Sequence, residues 1–281
     1  MQHAPILIIG KNGKTGARVA ERLEALGHPV RGVSRSTSPA FDWQDPSSWQ
    51  PALAGARAAY ITFQPDLAVP GARQIIQDFV ALAVENGLQH LVLLSGRGEE
   101  GAQQAEALVQ ASGVSWNIVR ASWFMQNFSE SFMLEGILGG ELCLPAGDVP
   151  EPFVDVDDIA DVAVAALTRP ALRNRVFEVT GPRAMTFAEC VETISGAVGY
   201  PVVYTPVPVD GFVEAMRDQG APEELLWLMR ELFTVVLDGR NSRVMSGVEE
   251  ALGRPATDFR EYVGKVVAPG VWSRSGVRRS A

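Results

Sequence analysis

Short apolar runs alternate along this chain with segments whose apolar residues recur at helical spacing. The run Ile6–Ile9 is followed by residues 14–26, in which Val19, Leu23 and Leu26 fall on one helical face. A strand that is apolar throughout is buried on both faces, and helices between such strands are typical of a parallel sheet. The pattern therefore predicts an α/β fold with a doubly wound parallel sheet of the Rossmann type.

The same pattern gives the expected positions of individual elements. Strands are predicted at residues 6–9, 30–34, 41–42, 58–63, 91–94, 114–119, 176–180 and 202–207. Helices are predicted at residues 14–26, 72–85, 99–110, 158–168, 187–198 and 223–237. The polar and basic stretch from Trp272 to Ala281 is predicted to be a frayed tail.

A glycine-rich turn joins the first predicted strand to the first predicted helix. It runs Gly10-Lys11-Asn12-Gly13-Lys14-Thr15-Gly16, with G-x-x-G-x-x-G spacing. In dinucleotide-binding proteins such glycines permit a tight turn, let a pyrophosphate approach the backbone and bring the helix close to the strand. The N–H groups at the start of the helix then hold the phosphates. A simple tight turn is the alternative, but the strand–turn–helix context favours a nucleotide site.

The end of the second predicted strand indicates which nucleotide is bound. An NAD site usually has a carboxylate there that accepts hydrogen bonds from the ribose. This chain has Ser34-Arg35-Ser36-Thr37 instead, and no acidic residue before Asp42. A guanidinium beside hydroxyls suits a 2′-phosphate, so NADP(H) is predicted over NAD(H). A solvated loop arginine is the alternative interpretation of Arg35.

The pattern changes after about residue 150, and Gly181-Pro182 marks a further boundary. We expect residues 1–150 to form an NADP-binding Rossmann domain that is completed by residues 151–180. Residues 181–281 are expected to form a smaller α/β domain that binds substrate.

Composition limits the remaining classes of function. Lys and Arg number 24 against 33 Asp and Glu, and the resulting net charge of −9 argues against a nucleic-acid partner. Cys143 and Cys190 cannot form a disulfide framework, and no Cys/His spacing predicts a metal site. No apolar stretch approaches the roughly 20 residues that cross a bilayer. We therefore expect a cytoplasmic monomer or homodimer with no membrane partner.

Several motifs together resemble the NmrA-like family of atypical short-chain dehydrogenases. They are the glycine-rich turn, Leu94-Ser95, Val119-Arg120 and residues 123–128, 153–160, 177–182, 185–187 and 252–255. This likeness covers nearly the whole chain. Residues 41–43 and 123–128 resemble in particular the family's clavine dehydrogenase-like members. The family also contains reductases of quinones and dyes, and redox-sensing regulators that catalyse no reaction.

The resemblance implies a set of NADP(H)-binding residues. Phosphate contacts are implied for Gly10, Asn12, Gly13, Lys14, Thr15 and Gly16. Further cofactor contacts are implied for Arg35 and Ser36 at the 2′-phosphate, Asp42 or Trp43 at the adenine, Phe63 and Gln64 at the adenosine ribose, and Ser95, Gly96 and Ala121 near the nicotinamide. The family commonly has proline where this chain has Ala121.

The chain lacks the proton donor of ketone-reducing short-chain dehydrogenases. Those enzymes use Tyr-x-x-x-Lys, in which the lysine lowers the pKa of the phenol. The tyrosines here are Tyr60, Tyr200, Tyr204 and Tyr262, and the lysines are Lys11, Lys14 and Lys265. No tyrosine is followed four residues later by a lysine, and the helix at 99–110 has Gln103, Gln104 and Glu106 instead. Iminium, quinone, azo or conjugated acceptors are therefore expected, because a ketone would form a localised alkoxide that needs an acid.

The predicted catalytic residues are Ser95 and Asn127, and Asn127 is expected to donate a hydrogen bond to a developing oxyanion. The predicted substrate contacts are Arg97, Trp123, Phe124, Met125, Asn127, Phe128 and Trp227. The aromatic members would form a flat apolar wall for a planar ring. Core packing is the alternative for the aromatic residues, and a solvated loop position is the alternative for Arg97. Asp155, Asp157 and Asp158 are interpreted as residues that stabilise a helix start.

The leading hypothesis is an NADP(H)-dependent reductase of a planar or conjugated small molecule. Quinones, iminium compounds and secondary-metabolite intermediates are the expected substrates, and the protein would supply orientation and a dry pocket for direct hydride transfer. One alternative is a non-catalytic NADP(H) sensor that binds a protein partner. Another is a tailoring oxygenase or isomerase of aromatic polyketides.

Overall fold

The computed structural model describes residues 4–274. Over these residues the strands are β1 (Ile6–Ile9), β2 (Val30–Val33), β3 (Ala58–Ile61), β4 (His90–Gly96), β5 (Ser115–Ala121), β6 (Glu141–Leu144), β7 (Arg175–Val179) and β8 (Val203–Pro206). The α-helices are α1 (Lys14–Ala25), α2 (Trp49–Leu53), α3 (Ala72–Glu85), α4 (Glu100–Gln110), α5 (Met133–Gly139), α6 (Val156–Thr168), α7 (Phe187–Val198), α8 (Val209–Asp218), α9 (Glu223–Glu231), α10 (Gly247–Leu252) and α11 (Phe259–Val267). A π-helical turn, Leu232–Val236, continues α9. No helix within the described range is long and apolar enough to cross a membrane.

The described chain divides into two compact units. The first comprises residues 4–121, Val156–Val179 and Ser246–Pro255. The second comprises Ser122–Asp155, Thr180–Met245 and residues 256–274. The division differs from the expected boundary at residue 150, because β6 pairs with β8 in the second unit rather than joining the larger sheet.

The first unit contains a six-stranded parallel sheet in the order β2-β1-β3-β4-β5-β7. Every residue of β1 is buried, as the apolar run Ile6–Ile9 predicts. Helices cover both faces of β4: the His90 imidazole contacts the Ala166 carbonyl of α6, whereas the Ser95 side chain contacts α4. Even- and odd-numbered residues of a strand point to opposite faces, so α4 and α6 lie on opposite sides of the sheet. The predicted doubly wound fold is confirmed.

The strand predicted at residues 41–42 is wrong. Phe41 and Trp43 instead bury their rings in an aromatic cluster with Trp49, Phe63 and Phe79, with neighbouring ring centroids 4.8 to 6.0 Å apart. Asp42 turns the chain, because its carboxylate accepts a hydrogen bond from the Gln44 N–H at 3.0 Å. The apolar–polar alternation that suggests a strand thus arises from a turn that inserts two rings into the core.

The second unit contains the parallel pair β6–β8, of which β6 was not predicted. Its core is aromatic: Phe128 contacts the rings of Phe153, Phe187 and Phe259 at centroid distances of 5.5 to 5.9 Å. The predicted tail at residues 272–281 is wrong at its start, because Trp272 is buried and its indole N–H donates to the Phe128 carbonyl at 2.9 Å. Residues 275–281 of that prediction lie outside the described residues.

A capping box begins α7. The Thr186 hydroxyl accepts a hydrogen bond from the Glu189 N–H at 3.1 Å, and the Glu189 carboxylate accepts one from the Thr186 N–H at 2.7 Å. These two bonds satisfy N–H groups that a helix start otherwise leaves without partners.

We expect Thr186→Ala to lower the free energy of unfolding by about 1 kcal/mol, the usual cost of losing an N-cap side chain. Thr193→Ala is the matched control: its hydroxyl donates to the Glu189 carbonyl within the same helix, and alanine has the higher helix propensity. Urea titration followed by circular dichroism measures both changes. Equal destabilisation by the two substitutions would contradict a capping role for Thr186.

Candidate functional site

The glycine-rich turn places the amino end of α1 against the end of β1. Gly10 has a φ of +75°, and its carbonyl accepts a hydrogen bond from the Gly13 N–H at 2.8 Å. A Cβ on Gly16 would lie only 2.2 Å from the Gly10 oxygen, so the helix approaches the strand too closely for any other residue. Both positions therefore require glycine.

The start of α1 suits an anion. Among the described residues no side chain caps the helix at Gly13, and its first turn contains no acidic residue. The positive end of the helix dipole and the first-turn N–H groups are the features that bind phosphates in dinucleotide folds. The turn therefore fits the pyrophosphate of NADP(H). Lys14 begins the helix, and the neighbouring Thr15 is buried.

The turn is joined to the end of β2 by side-chain hydrogen bonds. The Asn12 amide donates to the hydroxyls of Ser34 at 3.0 Å and Ser36 at 3.2 Å. The Arg35 side chain between these two serines is exposed, and it makes no hydrogen bond or ion pair within the described part of the chain. The structure thus joins Asn12, a predicted phosphate contact, to the two serines on either side of Arg35.

The residues expected near the adenosine have different surroundings. Trp43 and Phe63 belong to the aromatic cluster, and the Trp43 indole N–H donates to the Thr62 carbonyl at 3.0 Å. Asp42 uses its carboxylate within its own turn. Gln64 is exposed. Of these four residues, Gln64 has the most accessible side chain for a ligand.

A network of hydrogen bonds and ion pairs connects the carboxyl ends of strands β4, β5 and β7. Ser95, Arg120 and Glu178 are in register on these strands. The Ser95 hydroxyl donates to Glu106 at 2.6 Å, and Arg120 binds the same carboxylate through two nitrogens at 2.9 and 2.5 Å. Arg120 also donates to Glu178 at 2.7 Å. We call Ser95, Glu106, Arg120 and Glu178, together with Arg97, the edge network.

The edge network changes what Ser95 and Arg97 can do. The single hydroxyl proton of Ser95 lies in a hydrogen bond to Glu106, so the oxygen offers a ligand its lone pairs rather than a donor. Arg97 is buried and its Nε donates to Glu178 at 3.3 Å, so it is not a solvated loop arginine. The Arg97 N–H donates to the Ala121 carbonyl at 3.0 Å, which ties the ends of β4 and β5 together.

A carboxyl pair that was not predicted lies at the same edge of the sheet. Asp66 hydrogen-bonds with Glu99, and burial raises the pKa of the Asp66 carboxyl. The Glu99 carboxylate lies against the Cα of Gly96: a Cβ built on Gly96 would lie 2.0 to 2.2 Å from the carboxylate atoms. Gly96, which is predicted to lie near the nicotinamide, therefore also leaves room for the Glu99 carboxylate.

The surroundings of the four tyrosine hydroxyls indicate whether any of them could act as a catalytic proton donor. Burial raises the pKa of Tyr60 in β3 and that of Tyr200, whose hydroxyl donates to the Trp272 carbonyl at 2.9 Å. Burial also raises the pKa of Tyr204 to about 12, and its hydroxyl donates to the Ala146 carbonyl. The Tyr262 hydroxyl donates to Ser129 at 2.7 Å. Phenols with raised pKa values are poor substitutes for the activated tyrosine of ketone reductases.

The predicted substrate residues of the second unit fall into two groups. Trp123, Phe124 and Asn127 are half-buried, and Trp227 on α9 is 39% exposed. Met125 and Phe128 are buried, and the Phe128 ring lies within the aromatic core. The contacts of the Phe128 ring favour the core-packing interpretation of this residue, because its neighbours already cover the ring.

Two phenylalanines extend the aromatic surface around Trp123. The Phe233 ring lies 5.2 Å from Trp123, and Phe212 lies 5.7 Å from Phe233. Phe233 belongs to the π-helical turn, a feature that often occurs at functional sites. The apolar pattern of residues 223–237 marked this segment as notable, whereas no sequence signal identified Phe212.

The aspartates at the start of α6 make structural contacts. Asp157 and Asp158 lie in its first turn, where Arg22 donates to Asp157 at 2.6 Å and Arg254 to Asp158 at 2.7 Å. Asp155 is fully buried and accepts a hydrogen bond from the Gln126 amide at 2.7 Å. Within residues 4–274 no group of His, Cys, Asp and Glu could hold a metal ion.

This chain belongs to the NmrA-like family, whose model matches residues 2–263. The NAD(P)H azoreductase of Xenophilus azovorans is 29% identical over 283 residues, which cover 92% of this chain and 96% of the relative. The agroclavine dehydrogenase of Claviceps fusiformis is 28% identical over 281 residues, with coverage of 92% and 96%. The predicted family is therefore confirmed, and the names of these relatives agree with the expected nicotinamide-dependent oxidoreductase.

Among solved structures, the triphenylmethane reductase of Citrobacter sp. complexed with NADP(H) matches with a TM-score of 0.78. It is 18% identical, and the match covers 94% of this chain and 100% of that chain. Likeness at this identity shows the fold.

The edge network generates a stability prediction. Arg120→Met would leave the buried Glu106 carboxylate without its ion-pair partner, and we expect a loss of about 3–5 kcal/mol in the free energy of unfolding. Arg175→Met is the matched control on the adjacent strand, because its pair with Glu250 is exposed on both sides and contributes at most about 1 kcal/mol. Urea titration measures both. Similar small losses would show that Arg120 does not compensate a buried charge.

Proposed function

We propose that this protein is an NADP(H)-dependent reductase that transfers hydride to a planar or conjugated acceptor, such as a quinone, an azo dye or an iminium compound. The main observation behind the proposal is that the Asn12 amide of the glycine-rich turn donates hydrogen bonds to Ser34 and Ser36. The exposed Arg35 lies between these two serines in the sequence. This arrangement combines a pyrophosphate site with hydroxyls and a cation suited to a 2′-phosphate.

The residues of the first unit would hold the cofactor at three points. Gly13 and the first turn of α1 would bind the pyrophosphate, and Arg35 and Ser36 would bind the 2′-phosphate. Ser95 and Gly96 at the end of β4 would lie near the nicotinamide, where the Ser95 oxygen can accept a hydrogen bond from an amide N–H. When bound, NADPH supplies a hydride from C4 of its nicotinamide.

The surroundings of Ser95 and the tyrosines support an acceptor that needs little acid. The Ser95 hydroxyl proton is already used in the hydrogen bond to Glu106. Burial raises the pKa values of Tyr60, Tyr200 and Tyr204. An iminium ion loses its charge on accepting hydride, and a quinone spreads the incoming charge over its ring. A simple ketone develops a localised alkoxide and depends on a donor.

The aromatic residues of the second unit support the proposal that the acceptor is planar. Trp123 and Phe124 are half-buried aromatic residues, and the Trp123 ring packs against the buried Phe233, which in turn contacts the half-buried Phe212. Rings of this kind bind flat apolar molecules through large contact areas. Asn127 would donate its amide to an oxygen or nitrogen on which negative charge develops.

Cofactor preference provides a direct test. We expect the dissociation constant for NADPH to be at least about tenfold lower than that for NADH, because a charge-assisted contact to the 2′-phosphate contributes about 1.5–3 kcal/mol. Titration of nicotinamide fluorescence measures both constants. Arg35→Ala should weaken NADPH binding and leave NADH binding unchanged. Equal affinity of the unsubstituted protein for the two cofactors would contradict the NADP(H) assignment.

Acceptor preference tests the chemistry. Oxidation of NADPH, followed by absorbance, should give kcat/KM values for menadione, an azo dye and a cyclic iminium at least about 100-fold above that for cyclohexanone, since a general acid commonly supplies a factor of 10²–10⁴. Trp123→Leu should raise KM for the planar acceptors and leave NADPH affinity unchanged. Tight NADPH binding without turnover of any acceptor would favour a sensor, and equal turnover of cyclohexanone would contradict the absence of a proton donor.

A further inference from the structure

Lys11, which has no role in the site described above, is held beside the end of β2. Its N–H donates to the Val33 carbonyl at 3.1 Å. Its side chain lies flat against the Cα of Gly32: a Cβ built on Gly32 would lie 2.3 Å from Lys11 Cδ and 2.8 Å from Cγ. Gly32 lies inside a strand, and the space that a side chain at this position would fill is occupied by the methylene groups of Lys11.

This position puts Lys11 with the hydroxyls at the end of β2. Ser34 is the first residue after β2, two positions beyond Gly32. Ser34 Oγ accepts the hydrogen bond from the Asn12 amide, and Asn12 directly follows Lys11. Two successive residues of the turn therefore contact this strand end: the Lys11 stem packs on Gly32, and the Asn12 amide bonds to Ser34.

Two exposed cations, Lys11 and Arg35, belong to this strand end and the adjoining turn. The Lys11 side chain is exposed, and its ammonium group has no hydrogen bond or ion pair within residues 4–274. The same holds for the guanidinium of Arg35. A phosphate bound at this strand end would be attracted by both cations. A phosphate monoester carries up to two negative charges and would therefore be attracted to these cations more strongly than a ribose hydroxyl.

The use of lysine here is also unusual for this chain. Lys and Arg together number 24, yet lysine occurs only at positions 11, 14 and 265. Two of the three are therefore in the glycine-rich turn. A lysine stem is unbranched and ends in a compact ammonium, so it can lie over a glycine and present a point charge to a phosphate.

We propose that Lys11 is a specificity-determining residue that binds the phosphate on the adenosine ribose together with Arg35, and that Gly32 is required to seat its stem. This inference rests on the proposed NADP(H) function and adds to it a second cation and the residue that positions it. Any side chain at position 32 would displace the Lys11 stem and with it the ammonium group.

The test uses fragments that carry the phosphate but no nicotinamide. In the full-length protein, calorimetric titration with 2′,5′-ADP and with 5′-AMP isolates the contribution of the 2′-phosphate without any turnover. Lys11→Met keeps an unbranched stem and removes the charge, and it should weaken 2′,5′-ADP binding roughly tenfold or more while changing 5′-AMP binding less than about twofold. Lys11→Arg should retain most of the preference. The affinity of Lys11→Met should also fall less steeply with salt.

Two further variants make the result specific. Gly32→Val keeps Lys11 but displaces its stem, and it should also lose preference for 2′,5′-ADP; valine is well suited to a strand, so the fold is expected to persist. Arg173→Met is the matched control, because Arg173 is an exposed cation near His90 at the opposite, amino-terminal edge of the sheet. It should leave both affinities unchanged.

The outcomes separate this inference from the proposed function. If the unsubstituted protein prefers 2′,5′-ADP and Lys11→Met keeps that preference, the role of Lys11 is overturned while the NADP(H) proposal stands. If the unsubstituted protein has no preference for 2′,5′-ADP, both fail. A loss of preference in Arg173→Met as large as that in Lys11→Met would mean that net charge, not position, is responsible, and would likewise overturn the inference.

Discussion

The close approach of Gly16 to the carbonyl of Gly10 is the constraint on which the first unit depends. It brings the amino end of α1 directly above the end of β1, with no side chain between helix and strand. The turn can then reach the end of β2, where Asn12 bonds to Ser34 and Ser36. A larger residue at position 16 would push the helix away, so one steric requirement determines both the packing of α1 and the geometry of the phosphate site.

A second constraint acts at the other side of the same sheet edge. The buried Glu106 carboxylate on α4 accepts hydrogen bonds from both Arg120 and Ser95. Such a buried ion pair is costly to break and leaves no mobile proton on Ser95. The edge network thus fixes the strand ends while limiting the acid chemistry available there. This is the physical basis for expecting acceptors that are already electron-poor.

Much of the fold was predictable from the sequence. The helices at residues 72–85 and 187–198 were predicted with the bounds that the structure has, because their apolar residues repeat at helical spacing and their ends have clear signals. The strand at residues 41–42 was not, because alternation of Phe41, Asp42 and Trp43 is equally compatible with a turn that buries two rings. Trp272 was also misjudged, since its polar and basic neighbours suggested a tail, whereas the buried indole bonds to Phe128.

The glycine spacing, the absence of an acidic residue at the end of β2 and the absence of Tyr-x-x-x-Lys are properties of the sequence itself. They are enough to predict a phosphorylated dinucleotide as the ligand and to show that the chain has no Tyr-x-x-x-Lys motif, because each depends only on residue types at fixed spacing. The partners of Ser95, the burial of Phe128 and the seating of Lys11 over Gly32 were decided by the tertiary structure. These depend on side chains from separate strands and helices, such as Arg120 and Glu178, which are 58 residues apart, and local spacing contains no information about which of them meet.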